Sequence, residues 1–147
     1  MAASRDQTGR ELLGRVSTEM VQAQRRFFGK GPVKAKSYFV DDLLFVVLRG
    51  GLTRAEKTML EFGQEDMVRE FRQLFENEMT ERLTGMIEEL TGRKVLTYQS
   101  QIMFDPDMVV ELFVFDDRVR DDAIEATAEG QLQDETVGEA ASETASQ

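Results

Sequence analysis

The chain has 147 residues, a net charge of −10, no cysteine and no histidine. That length suits one domain. Without Cys there are no disulfides, thiolate chemistry, iron–sulfur clusters or Cys-ligated zinc, and without His the commonest neutral-pH base and transition-metal ligand are missing. Catalysis would have to rest on carboxylates, Lys, hydroxyls, Tyr38 or Tyr98, so the composition points to a non-catalytic protein that uses no cofactor.

The charge is spread unevenly. Up to Lys36 the chain carries Arg5, Arg10, Arg15, Arg25, Arg26, Lys30, Lys34 and Lys36 against Asp6, Glu11 and Glu19. From Asp116 onward, Arg118 and Arg120 face ten Asp or Glu residues. Overall acidity argues against free nucleic acid as a partner, because phosphate binding needs a concentrated positive field. No stretch approaches the roughly 20 apolar residues of a membrane span, and the start of the chain shows no apolar signal region. The expectation is a cytoplasmic protein that does not insert into a membrane.

In chain order, residues 1–7 read as a flexible N-terminus. Residues 8–28 read as an amphipathic helix, with Leu12, Leu13, Val16, Met20, Ala23 and Phe27 at spacings of three and four. Gly29 supplies its stop, and Arg25 and Arg26 suit the negative end of its dipole. Lys36 to Val40 and Leu43 to Arg49 form a predicted hairpin around Asp41-Asp42. The second of these strands is apolar throughout, which predicts cover on both faces.

Thr53-Arg54-Ala55-Glu56 has the spacing of a capping box and starts a helix to about Phe62, where Gly63 kinks or interrupts it. Gln64 to Leu90 predicts a helix about 40 Å long. Its expected buried stripe is Met67, Phe71, Leu74, Phe75, Met79, Leu83, Met86, Ile87 and Leu90, with Glu65/Arg69 and Glu78/Arg82 as pairs on the wet side. Thr91-Gly92 ends it. Lys94 to Phe104 and Met108 to Phe115 form a second hairpin around Asp105-Pro106-Asp107. Residues 118–147, rich in Ala, Glu, Asp, Thr, Gln and Ser, read as a disordered acidic tail. The whole predicts an α+β fold of order α-ββ-α-ββ over residues 8–117, a four-stranded antiparallel sheet packed on the long helix. The second sheet face is left for the first helix or a second subunit, hence an expected homodimer.

Four features bear on function. Arg25, Arg26, Lys30, Lys34 and Lys36, interleaved with Phe27, Phe28 and Gly31, are the candidate anion- or partner-binding residues; Gly29-Lys30-Gly31 is too short for a P-loop. The acidic turns Asp41-Asp42, Asp105-Asp107 and Asp116-Asp117 are better explained by turn chemistry than as a Mg²⁺ or Ca²⁺ site, so no metal is expected. Gly85 costs its helix roughly 1 kcal/mol and is equally a close backbone crossing or a tolerated blemish. Met67, Met79 and Met86 read as core rather than as an adaptable binding face.

Phe28-Gly29-Lys30-Gly31-Pro32, Tyr38-Phe39-Val40-Asp41-Asp42, Gly51-Leu52-Thr53-Arg54-Ala55-Glu56-Lys57, Leu90-Thr91-Gly92-Arg93-Lys94-Val95 and the closing Val110 to Asp116 occur in an order and spacing that resembles the MpsC family. That family of small cytoplasmic proteins is named for a Na⁺-translocating, membrane-potential-generating system. The resemblance implies an accessory or regulatory subunit of membrane ion (Na⁺) or inorganic-carbon transport machinery, with transport-protein subunits as partners. It carries no catalytic residues over to this chain. The alternative reading is a stand-alone cytoplasmic sensor of a small anion or nucleotide.

Overall fold

The first hairpin is closed by a two-residue turn. Val40 pairs with Leu43, and Asp41 takes a φ of 54°, a left-handed conformation that Asp tolerates better than most residues. The computed structural model describes residues 5–116, and the expected acidic tail, like residues 1–4, lies outside that range. The elements are α1 (Arg5–Phe28), β1 (Lys34–Val40), β2 (Leu43–Arg49), α2 (Arg54–Glu61), α3 (Glu65–Thr91), β3 (Val95–Met103) and β4 (Met108–Phe115). The helix expected from residue 8 thus begins at Arg5.

The strands form one antiparallel sheet of order β1-β2-β4-β3, with the two apolar strands side by side at its centre. The turn after β3 also fastens the β2–α2 connection. Gly50 N–H donates to the Asp107 carbonyl at 3.1 Å and Leu52 N–H to the Asp107 carboxylate at 3.4 Å. The acidic turn therefore has a structural task.

The predicted caps are present. Thr53 Oγ1 accepts from Glu56 N–H at 3.2 Å, and Thr53 N–H donates to Glu56 Oε1 at 2.9 Å. Gly63, at a φ of 71°, separates α2 from α3, and Gly92, at 66°, caps α3. A Cβ built on Gly85 would meet nothing within 4 Å, so Gly85 marks no close backbone crossing.

α1 packs on β1 and β2, α3 on β3 and α1, and α2 on α3. The core lies between these helices and the inner sheet face: Val16 and Met20 from α1, Met79, Leu83 and Ile87 from α3, and Leu44, Val46, Leu48, Val109, Phe113 and Phe115 from the sheet. Each such side chain contributes about 1.5–3 kcal/mol on full burial.

Two expectations change here. The first is the first helix as a possible cover for the second sheet face. β2 and β4 alternate between buried and half-buried residues, because the first and third helices share the inner face. Leu43, Phe45, Val47, Val110, Leu112 and Val114 are left on an outer face that no described element covers. The second is the core stripe of the long helix. Its buried residues are Val68, Arg72, Glu76, Met79, Leu83 and Ile87, whereas Met67, Phe71 and Leu74 are exposed. The three methionines therefore divide, with Met79 buried, Met86 half-buried and Met67 in solvent. The physical reason is a guanidinium that α3 turns inward.

Candidate functional site

The first half of α3 buries polar side chains and exposes apolar ones. Arg72 faces inward and meets Glu56 of α2 in a two-pronged ion pair, Nε to Oε2 at 2.5 Å and Nη2 to Oε1 at 2.6 Å. Its Nη2 also donates to the Gly51 carbonyl at 3.1 Å, and its carbon centre lies 4.0 Å over the Phe28 ring. A planar guanidinium suits this combination of fork and stack. Burial alone would raise the Glu56 pKa, but hydrogen bonds from Arg72 and Thr53, with the Arg72 charge, hold it below the usual carboxylate value. Glu56 thus completes the capping box and clamps α2 onto α3.

Further along, Ser100 Oγ donates to Glu76 Oε1 at 2.7 Å. The register places Ser100 of β3 opposite Glu111 of β4, whose Oε2 accepts from the Tyr98 hydroxyl. Glu111 is fully buried and its Oε1 has no hydrogen-bond partner. Burial, reinforced by the charge of Glu76, pushes its pKa up to about 8. Burial also raises Glu76, and burial with the neighbouring Glu111 raises the Tyr98 phenol. Burial thus favours the protonated form of Glu111. A cleft of about 110 Å³, lined by Arg69, Arg72, Gln73, Glu76, Ser100, Gln101 and Ile102, lies beside Glu76. Glu111 itself touches no solvent, whereas Glu76 and Ser100 line the cleft. Among the described residues no three acids converge as a metal site.

Outside the Arg72–Glu56 clamp is an apolar groove of about 230 Å³, lined by Ala55, Met59, Met67, Val68 and Phe71 over Glu56. On the same helices Leu74, three residues after Phe71, and Phe62, which caps α2, are exposed too, at 61% and 72% against 46% for Phe71. Exposed aromatic and Met side chains around an apolar groove are the composition of an interaction surface.

The candidate basic residues do not gather in one place. Arg25 lies on α1 beside Ser17, Thr18, Val21, Gln22 and Ala35. Arg26 is exposed in the last turn of that helix. Lys30 Nζ donates to the Leu52 carbonyl at 3.1 Å and so ties the post-helix loop to the start of α2. Lys34 and Lys36 point to the outer sheet face, Lys36 with its ammonium 5.2 Å from the Tyr38 ring. There they share a shallow pocket of about 500 Å³ with Val33, Tyr38, Val47 and Arg49. Arg49 was absent from the sequence set although the turn register places it opposite Lys34.

The two expected helix-surface ion pairs give way to other contacts. Arg69 donates to the Ile102 carbonyl at 3.2 Å and lies over Phe104, and Arg82 lies over Phe27. The groove, the buried acids Glu76 and Glu111, and the inward Arg72 all escaped sequence reasoning. The signals available were an acid in the middle of an otherwise apolar strand, and an outer stripe that stops at Leu74 and continues as Glu78 and Glu81.

No helix among the described residues is long and apolar enough to cross a membrane. No solved structure matches the chain. One curated relative is an uncharacterized protein, YrhF, of Bacillus subtilis (strain 168), 29% identical over 98 residues that span 65% of this chain and 80% of the relative. The family model described as the Na⁺-translocating membrane potential-generating system (MpsC) matches residues 8–117, so the chain belongs to the MpsC family.

Proposed function

We propose that the chain is a non-catalytic accessory subunit of a membrane-bound ion-translocating system, cytoplasmic and held at the membrane through a protein partner. The observation that carries this reading is the exposed α2–α3 groove, an apolar docking surface braced from within by the Arg72–Glu56 clamp. The family description supplies the kind of system, one that translocates Na⁺ and generates a membrane potential. Of the two buried acids Glu111 touches no solvent, while Glu76 borders the small cleft beside Ser100. Affinity capture of the full chain from native membranes of its host tests the reading. Retention of a multispanning transport protein supports it, and retention of soluble proteins alone contradicts it.

The second partner in this reading is another copy of the chain. Along β2 and β4 the outer sheet face carries the cross-strand pairs Leu43/Val114, Phe45/Leu112 and Val47/Val110. Lys36 and Tyr38 border them on one side, Gln99 and Gln101 on the other. An apolar centre with a polar rim is the anatomy of a protein interface, and two copies of one sheet face pack by a two-fold axis. Sedimentation at micromolar concentration is expected to give twice the chain mass. Phe45→Lys with Leu112→Lys should give a folded species of single mass. A wild-type monomer would contradict the dimer.

The shallow pocket of Lys34, Lys36 and Arg49 favours the alternative reading, a small-anion or nucleotide sensor. Three cations beside an aromatic ring suit a phosphate, and a phosphate titration decides the matter.

A further inference from the structure

The α2–α3 groove has a chemistry that narrows the choice of occupant. At about 230 Å³ it is smaller than the roughly 300–1,000 Å³ of small-molecule pockets, and its lining offers almost no polar group to orient a ligand. It suits one or two apolar side chains inserted from a larger partner. The exposed strip of α3 continues it: Met67, Phe71 and Leu74 recur at spacings of four and three on the solvent side of the helix. A second helix laid along this strip would meet it at the same spacing.

Charge decides the character of that helix. On α3 the exposed Glu70 and Glu78 adjoin the apolar strip, and Glu61, Glu65 and Asp66 are exposed around the turn that joins α2 to α3. α2 also exposes Arg54 and Lys57, while Arg69 is turned to the Ile102 carbonyl and the Phe104 ring. A Met- and Phe-lined groove with an acidic rim attracts an apolar face with basic flanks and repels an acidic one. Residues 117–147 of this chain carry nine carboxylates against two arginines, so they fail the charge test as an occupant. Cytoplasmic segments next to membrane spans, in contrast, carry an excess of Lys and Arg.

We infer that the α2–α3 groove binds a basic amphipathic helix, of the kind that borders the membrane spans of an integral membrane protein on its cytoplasmic side. This deepens the proposed function and rests on it for the source of the helix. The groove's chemistry is tested without membranes, so failure of one does not imitate failure of the other.

The probe is a synthetic 18-residue amphipathic peptide with Leu on one face and Lys on the other, titrated into the full chain and followed by fluorescence anisotropy. A matched peptide carries Glu in place of Lys. The Lys peptide is expected to bind at least tenfold more tightly than the Glu peptide. Met67→Ser with Phe71→Ser, the fold checked by its urea midpoint because the Phe71 ring also packs on Phe75 at 4.9 Å, should weaken it tenfold or more, because a few central apolar anchors dominate such interfaces. Glu61→Lys with Glu70→Lys should weaken it several-fold at low salt and little at high salt. Glu11→Lys with Glu19→Lys makes the same charge change on α1 and should leave binding unaltered.

Equal binding of the Lys peptide to the Met67/Phe71 variant would overturn the inference. So would an α1 charge variant as damaging as the Glu61/Glu70 variant, since the attraction would then be diffuse. If the peptide, or the Met67/Phe71 substitutions, splits an oligomer of the chain, a second copy fills the groove and the inference fails.

Discussion

Replacing Arg72 by Met is expected to lower the unfolding free energy by about 3–5 kcal/mol, the range for removing one partner of a buried ion pair. The variant leaves the Glu56 carboxylate buried without its cation and withdraws the donor to the Gly51 carbonyl and the stack on Phe28. Arg72→Met combined with Glu56→Gln should recover most of the loss. The amide is uncharged and its oxygen still accepts from Thr53 N–H, so the capping box survives. Urea unfolding of both variants, with midpoint and slope, measures this. A single variant that costs under about 1 kcal/mol would mean that water enters and solvates the clamp.

The pH dependence should carry two opposite signatures. Glu56 is held below the usual carboxylate value, so the unfolded chain takes up its proton first. Its contribution is present above the ordinary carboxylate pKa and is lost as pH falls towards the lower folded value. Glu111 behaves in reverse, because its pKa rises from 4.5 to about 8 on folding. The folded state keeps a proton that the unfolded chain releases, so this stability is complete below the unfolded pKa and drains away as pH rises to the folded one. At about 1.4 kcal/mol per unit the ceiling is a few kcal/mol.

Glu111→Gln cannot ionise, and its oxygen still accepts from the Tyr98 hydroxyl. It is expected to match wild type near pH 5 and to exceed it by a few kcal/mol near pH 9. Glu76 is raised as well and faces the same cluster of Ser100, Tyr98, Glu111 and Arg72, so some slope should persist in the variant. Melting midpoints across that range decide it. Parallel curves for variant and wild type would show that Glu111 does not hold the proton.

Turns and caps were legible in the sequence because each depends on a few adjacent residues. Asp41-Asp42, Thr53 with Glu56, Gly63 and Gly92 all sit where local chemistry predicts. The matching apolar strands, and with them the fold class, followed. What the sequence concealed was the rotation of α3. Met67, Phe71 and Leu74 look like core at helical spacing, and Arg72 and Glu76 look like the wet side. The arrangement reverses because the Glu56 carboxylate, fixed by its own cap, supplies a buried partner for Arg72 from sixteen residues away. Such pairing over distance leaves no local periodic signal. The later part of the expected stripe, Phe75, Met79, Leu83, Met86 and Leu90, does mark the inner side, and Val68 rather than Met67, Phe71 and Leu74 continues it into the first half of the helix.

The outer sheet face was only half legible for a related reason. Strands apolar on both sides predict two covers, but residue type does not say whether the second cover lies within the chain. The basic segment scattered because strand alternation sends Lys34 and Lys36 to the outer face while Arg25 stays on the helix.

The most direct test of the account is capture from native membranes with wild type and the Met67→Ser/Phe71→Ser variant side by side, after confirming that their urea midpoints agree. The account predicts that wild type, cross-linked in intact inverted vesicles, retains an integral ion-transport protein through a basic cytoplasmic segment, and that the variant loses it. Equal retention by both, or no integral membrane protein retained by wild type, would contradict it.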